Sequence, residues 1–326
     1  MGSVGHRWRV TTLRVAVLAL VWGSGFLWIK LALNGGLSPV QITVVRSALG
    51  SLFLLVMCYL FRAALPRGRA TWGRLVIAAL FCNALPFALF AIGERTVDSG
   101  VAGVLNATTP LWSLLLAMML GTAERGVGMR LGLLIGFAGV LLIFAPWRQS
   151  HVFTWGALPL LGAAASYAVG FAYMARKLTG RGTQPVALAA AQLMTATGLG
   201  TLALPLPIEG NGVGVTLTGV LAVAILGIFG TGLTFYLSYR LIADEGPTSA
   251  ATVGYLLPVV SVALGAIFLD EELSLRVVVG MLVVLGGVAL TRWRGGAVGV
   301  DHKSGPQDRR SGSHGDDIRS QRRVPD

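Results

Sequence analysis

The chain reads as a succession of apolar runs, most of them about twenty residues long, parted by short polar breaks. Leu13 to Leu33 is the first run, and Asn34-Gly35-Gly36-Leu37-Ser38-Pro39 ends it with a cluster of turn-forming residues. About 20 apolar residues carry a helix across a bilayer, so each run predicts a membrane helix. The pattern continues through Val40–Phe61, Gly73–Gly93, Ser99–Gly121 and Met129–Pro146. It then resumes with Thr154–Ala175, Pro185–Pro205, Thr216–Leu241, Thr248–Leu269 and Leu273–Arg292, which makes ten predicted helices. The first run is longer than a signal-peptide core of about 7–15 residues and contains Lys30, so it is expected to be retained.

A repeat organises these runs. Pro110 to Val140 returns 148 positions later as Pro258 to Val288. At that offset Pro110 meets Pro258, Ser113 meets Ser261, Glu124 meets Glu272, Gly132 meets Gly280 and Gly139 meets Gly287. Internal repetition of this kind predicts two related halves. Five helices per half is an odd number, so the second half is expected to enter the membrane upside down. Inverted repeats of this type build transporters that alternate access around a central site. The expected division is a cytoplasmic N-terminus at 1–12, a first five-helix repeat at 13–146 and an outside linker at 147–153. A second repeat follows at 154–292, and 293–326 reads as a disordered, basic cytoplasmic tail.

Composition agrees with the pattern. Hydrophobic residues make up 54% of the chain and charged residues 12%, against about 25% charged in soluble domains. The expected fold class is an all-α, multi-pass membrane protein. A net charge of +12 invites a nucleic-acid reading, but the charge lies in short loops and the tail, where it reports topology. With the N-terminus inside, 21 of the 26 Lys and Arg residues fall on the cytoplasmic side, and Arg95, Arg148 and Arg276 fall outside. Both termini are therefore expected in the cytoplasm. Cys58 and Cys82 both sit inside apolar runs and offer neither a disulfide framework nor a metal-binding spacing. The spaced glycines of helix 5 (Gly132, Gly136, Gly139) and helix 10 (Gly280, Gly286, Gly287) predict close helix packing.

The two remaining cations, Lys30 and Arg46, lie within predicted spans. A charge at that depth costs about 2.5–3.5 kcal/mol, so it needs a reason. Lys30 is near the outer end of helix 1, where its stem can snorkel to the interface or join a site. Arg46 lies about 10 Å below the outer end of helix 2, counted at about 1.5 Å per residue. Two uses fit it: capping carbonyls of a neighbouring helix, or contacting an anionic group of a solute. No Asp or Glu is placed mid-span; Glu94, Asp98 and Glu124 fall near helix ends. The polar and aromatic candidates within spans are Asn83, Ser166, Gln192 and Tyr255, with Trp22, Asn106, Trp112 and Tyr167 nearest mid-depth. Pro110 and Pro258 are placed mid-helix, as paired hinges or as static bends.

The opening WGSGFLWIKLAL (Trp22 to Leu33), Arg46 and the paired P…E…G…G units resemble the EamA-type branch of the drug/metabolite transporter superfamily. The resemblance covers about residues 13 to 292. It implies ten helices with both termini inside, and a central cavity lined mainly by the first, third, fourth, sixth, eighth and ninth helices. It also implies export of amino acids or other small metabolites, and a monomer, with a homodimer as the alternative. The second half departs from the first at its front end. Trp22 aligns near Tyr167, Lys30 near Ala175 and Arg46 near Gln192, so the halves are not chemically equivalent.

The function expected is a cell-membrane secondary transporter for zwitterionic or anionic solutes, with the bilayer and the solute as its partners. The candidate binding residues are Trp22, Lys30, Arg46, Asn106, Trp112, Tyr167, Gln192 and Tyr255. No catalytic residue, metal or cofactor is expected. The rival reading is a polytopic enzyme acting on a lipid-linked substrate, which needs nucleophiles, bases or metal ligands grouped at one membrane face. His6, His151, His302 and His314 are instead scattered over termini and loops. A channel would want a filter or a charged ring, and an ATPase a Walker motif; the sequence offers neither.

Overall fold

The computed structural model describes residues 13–14, 16–121, 127–144, 156–178, 182–205, 214–238, 247–272 and 274–293. All regular structure among the described residues is helical. In chain order we number α1 (Ala16–Asn34), α2 (Pro39–Leu60), α3 (Arg69–Gly93), α4 (Ser99–Met119) and α5 (Val127–Phe144). The second half supplies α6 (Ala157–Lys177), α7 (Pro185–Leu202), α8 (Leu217–Ser238), α9 (Pro247–Phe268) and α10 (Leu275–Trp293). Seven of these, α1 to α4 and α6 to α8, are long and apolar enough to cross a membrane by length and composition. The apolar stretches of α5, α9 and α10 are shorter, Arg130–Ile143, Leu256–Phe268 and Leu275–Leu290.

Local chemistry sets the helix starts. Ser38 and Gln41 form a reciprocal capping box ahead of α2, with Pro39 in the first turn, where its missing N–H costs nothing. Thr216 caps α8 through Gly219 N–H, and its own N–H donates to Gly35 O at 3.0 Å, fixing that start against the α1–α2 turn. The predicted span α4 is not continuous. It runs as Ser99–Asn106 and Thr109–Met119, and Pro110 stands in the first turn of the second piece. The hydroxyls of Thr108 and Thr109 donate to the Leu105 and Asn106 carbonyls at 2.6 and 2.7 Å, and Leu105 O also accepts the Thr108 N–H at 3.1 Å. Pro258, its mate by sequence, lies inside the unbroken α9.

Helix pairing follows the repeat. α5 packs on α10, α2 on α7 and α4 on α9, each helix on its counterpart. α3 packs on α6 and α1 on α8, a pair of contacts that exchange when the halves are exchanged. Both α3 and α8 widen into a π-helical stretch, Leu80–Ala84 and Ile228–Leu233, and the two stretches start 148 residues apart. A π turn takes in one extra residue and recurs at functional positions. In α8 the hydroxyls of Thr231 and Thr234 reach back five residues to the Leu226 and Phe229 carbonyls. In α3 the Phe81 carbonyl accepts instead from Ser166 of α6 at 2.8 Å.

The core runs between the halves through Phe26, Ile29, Leu33, Phe87, Phe90, Leu105, Tyr167, Leu193 and Leu226. Leu52, Val56, Leu134, Leu141, Leu158, Val220 and Leu282 lie exposed on the outside, which suits hydrocarbon rather than water. The α5–α10 contact depends on absent side chains. A Cβ at Gly287 would meet the Gly136 backbone and stand 2.7 Å from Gly132 O, whereas one at Gly286 would meet open space. Gly287→Ala should therefore destabilise the protein by about 1–3 kcal/mol, the usual cost of overpacking. Gly286→Ala should be near neutral, and the thermal melting of both variants in detergent checks the difference.

Candidate functional site

A narrow cavity of about 20 Å³ lies between the two halves, room for about one water molecule. α1 lines it with Trp22, Gly25, Phe26 and Ile29, α2 with Arg46, α3 with Phe90 and α4 with Asn106. From the second half come Tyr167 of α6 and Gly230 in the π turn of α8. Where α8 crosses α1, a Cβ at Gly230 would stand 3.2 Å from the Leu226 side chain and 3.9 Å from Gly25 Cα, so the α8 backbone itself reaches the cavity wall. An aromatic group forms one side: Phe26 meets Phe90 edge-on at 5.5 Å, and Tyr167 stacks on Phe171 at 5.4 Å.

Arg46 is the charged group of this cavity. It is only 6% exposed, its guanidinium carbon stands 3.7 Å from the centre of the Phe87 ring, and Nε donates to Thr231 Oγ1 at 3.2 Å. A desolvated cation–π contact contributes about 2 kcal/mol, comparable with the insertion cost of about 2.5–3.5 kcal/mol. The pair of contacts lets the cavity keep its cation without a carboxylate partner among the described residues. The arrangement has a counterpart. Thr231 corresponds to Asn83 at the repeat offset, and Asn83 Oδ1 accepts from Gln192 Nε2 of α7 at 2.6 Å. Across the two halves, α7 is thus joined to the α3 π turn through two amides, and α2 to the α8 π turn through a guanidinium and a hydroxyl.

Of the eight candidate binding residues, Trp22, Arg46, Asn106 and Tyr167 meet around the cavity. Lys30 does not line it; Nζ donates to the carbonyls of Glu94 and Val97 at 2.7 and 2.9 Å, closing the C-terminal end of α3. Gln192 is fully buried in the pair with Asn83. Trp112 packs edge-on against Phe137 of α5 at 5.3 Å. The side chain of Tyr255 lies outside the described residues, as does Glu124. Sequence reading missed the apolar lining of Phe26, Ile29 and Phe90, as well as Phe87 and Thr231, because nothing in an apolar run tells a lipid-facing ring from a cavity-facing one.

Two acidic residues close the end of the bundle beyond the cavity. Glu271 receives the N–H groups of Ser99 and Gly100 at 2.7 and 2.9 Å, so the α9–α10 connection caps the first turn of α4. Gly265 leaves room for that carboxylate, since a Cβ there would run into it. Glu94 follows α3 by one residue and is 0% exposed. Sequence position suggests a solvated helix end, but the short α3–α4 connection turns back on itself, with Glu94 N–H on Phe90 O and Val97 N–H on Gly93 O, and carries the carboxyl inward. Burial holds the Glu94 carboxyl well above the usual carboxylate range; Lys30 pulls it down, Glu271 pushes it up and Arg46 pulls it down.

Known proteins give this architecture a context. An "Uncharacterized transporter YvbV" of Bacillus subtilis is 25% identical over 90% of this chain and 97% of its own. An "Uncharacterized inner membrane transporter YedA" of Escherichia coli is 29% identical over 79% of this chain and 82% of its own. A Pseudomonas aeruginosa protein reaches 30% over 86% and 93%. A solved structure described only as "Crystal structure of protein" superposes with a TM-score of 0.61 at 20% identity, over 88% of this chain and 97% of that one, a likeness of fold alone. The model for the EamA-like transporter family matches residues 11–145 and again 154–293, one match per half. The chain, a multi-pass helical membrane protein, belongs to the EamA-like transporter family.

Proposed function

We propose that this protein is a secondary transporter that exports small organic metabolites bearing a carboxylate, amino-acid-like or otherwise zwitterionic or anionic. All ten helices cross the membrane in this reading, as two inverted five-helix repeats (13–146 and 154–292) with both termini in the cytoplasm. The single observation that carries it is Arg46, a buried cation on the wall of a cavity built from both halves. Arg46 offers a planar fork suited to a carboxylate. Trp22, Phe90 and Tyr167 supply apolar and aromatic walls, and Asn106 supplies an amide for a second polar group. Rocking of one half against the other opens the cavity to each side in turn, with the interruption before Pro110 and the helix at Pro258 as hinges. At about 20 Å³ the cavity is that of the empty carrier in this reading, and it widens to take a solute of amino-acid size.

Purified protein in liposomes preloaded with an L-amino-acid mixture tests the reading by counterflow of the labelled mixture. Saturable exchange supports it. No exchange of amino acids or of a panel of organic anions sinks it.

A further inference from the structure

Glu94 is a buried titratable group that the cavity chemistry leaves unused. It stands one helical turn beyond Phe90, a lining residue, through the Glu94 N–H to Phe90 O bond of 2.9 Å. Neither of its carboxyl oxygens accepts a hydrogen bond among the described residues. The charged and titratable groups around it come from five elements. Lys30 of α1 and Arg46 of α2 attract its ionised form, and Glu271 of the α9–α10 connection repels it. Asp98, at the start of α4, interacts with Lys30, Glu271 and Glu272. From α6, Tyr167 interacts with Arg46 lower in the cavity.

An isolated ionised carboxylate in a protein interior costs several kcal/mol. Lys30, the nearest means of neutralising it, is engaged with the Glu94 and Val97 carbonyls. Resting on the transport reading above, we propose that Glu94 is a proton-binding site whose loading and release are coupled to solute movement. In the closed arrangement the carboxyl carries its proton, and Lys30 holds the end of α3 through the two carbonyls. When the α3–α4 end opens to water, the O–H bond breaks, the proton leaves to solvent, and the carboxylate draws the Lys30 ammonium from the carbonyls. Reprotonation restores the closed end. The sequence hides this site because Glu94 falls outside the apolar run and looks like an ordinary helix-end residue.

Infrared spectra of the protein in ester-free detergent test proton binding without any solute. The proposal expects a protonated carboxylic acid C=O band at neutral pH that Glu94→Gln removes and Glu94→Asp shifts. The sign of the stability effect also follows. A carboxyl raised in the folded state favours folding at low pH and loses that contribution as pH rises through its folded value. Wild-type melting temperature should therefore fall as pH rises from neutral, and Glu94→Gln should flatten the fall. Coupling is read by the same amino-acid counterflow with and without a pH gradient: the gradient should change wild-type exchange several-fold and leave Glu94→Gln exchange unaltered. Absence of the band, or its survival in Glu94→Gln, overturns the proposal even if transport is robust. Wild-type exchange indifferent to the gradient overturns the coupling. A Glu94 band in a protein that exchanges nothing would instead mark failure of the transport reading, and the coupling would fall with it.

Discussion

Arg46→Ala should all but abolish exchange while leaving a folded protein. Arg46 is held by a ring face at 3.7 Å and a hydroxyl at 3.2 Å, and it is desolvated in a cavity wall. Truncating one member of a buried, hydrogen-bonded charge pair costs about 2–5 kcal/mol. With tenfold per ~1.4 kcal/mol, apparent affinity for a carboxylate solute should fall at least roughly 30-fold. Arg46→Lys should be intermediate, because an ammonium keeps the charge and loses the planar fork that stacks on Phe87 and matches a carboxylate. Gln192→Ala is the contrasting variant. Gln192 occupies the related place in α7, yet it is bound to Asn83 and lies off the cavity. It should lower stability by about 1 kcal/mol or more through the stranded Asn83 amide and leave affinity nearly unchanged. Saturation curves and melting curves on the three variants together separate the two roles.

The second large effect concerns the end cap. Two backbone N–H groups converge on the Glu271 carboxylate, at the positive end of the α4 dipole. Hydrogen bonds to charged groups each contribute about 1.5–3 kcal/mol. Glu271→Ala should therefore shift the protein away from the closed arrangement by roughly tenfold or more, with Glu271→Gln between it and wild type. Ser99 reports this directly, because it is fully buried beneath that cap. In a Cys58→Ser, Cys82→Ser background, Ser99→Cys should react slowly with a water-soluble maleimide and about tenfold faster once Glu271→Ala is added. Equal rates would mean that the carboxylate stabilises the turn without holding the end shut.

The features legible in the sequence were those governed by periodicity and repetition. The apolar runs placed the seven long helices to within a few residues, and the 148-residue offset marked the two halves, whose counterparts α5 and α10, and α4 and α9, pack together. Four of the eight candidate binding residues gather at the cavity because mid-depth, polarity and helix number together restrict where a side chain can point. What stayed hidden depends on tertiary contact. The π turns of α3 and α8 carry no propensity signal, and they surface only when Ser166 and Thr231 are seen to take up the carbonyls concerned. Lys30 looked like a charge in a span, and only the fold of the α3–α4 connection shows that it serves two carbonyls. That same turn buries Glu94, which the sequence had set aside as a helix-end residue. The break before Pro110 arises where two threonine hydroxyls compete for helix carbonyls, a local choice that the apolar pattern passes over.

In the proposed transport cycle one cavity serves both faces of the membrane in turn. Asn106→Cys, in the cysteine-free background, places a thiol on the cavity wall. Its labelling by a membrane-impermeant maleimide in right-side-out and in inside-out vesicles tests that cycle. Labelling is expected from either face, with Glu271→Ala raising the rate from one face and lowering it from the other. Labelling from one face alone, or rates that rise together from both, would contradict alternating access and point to a fixed pocket or an open pore.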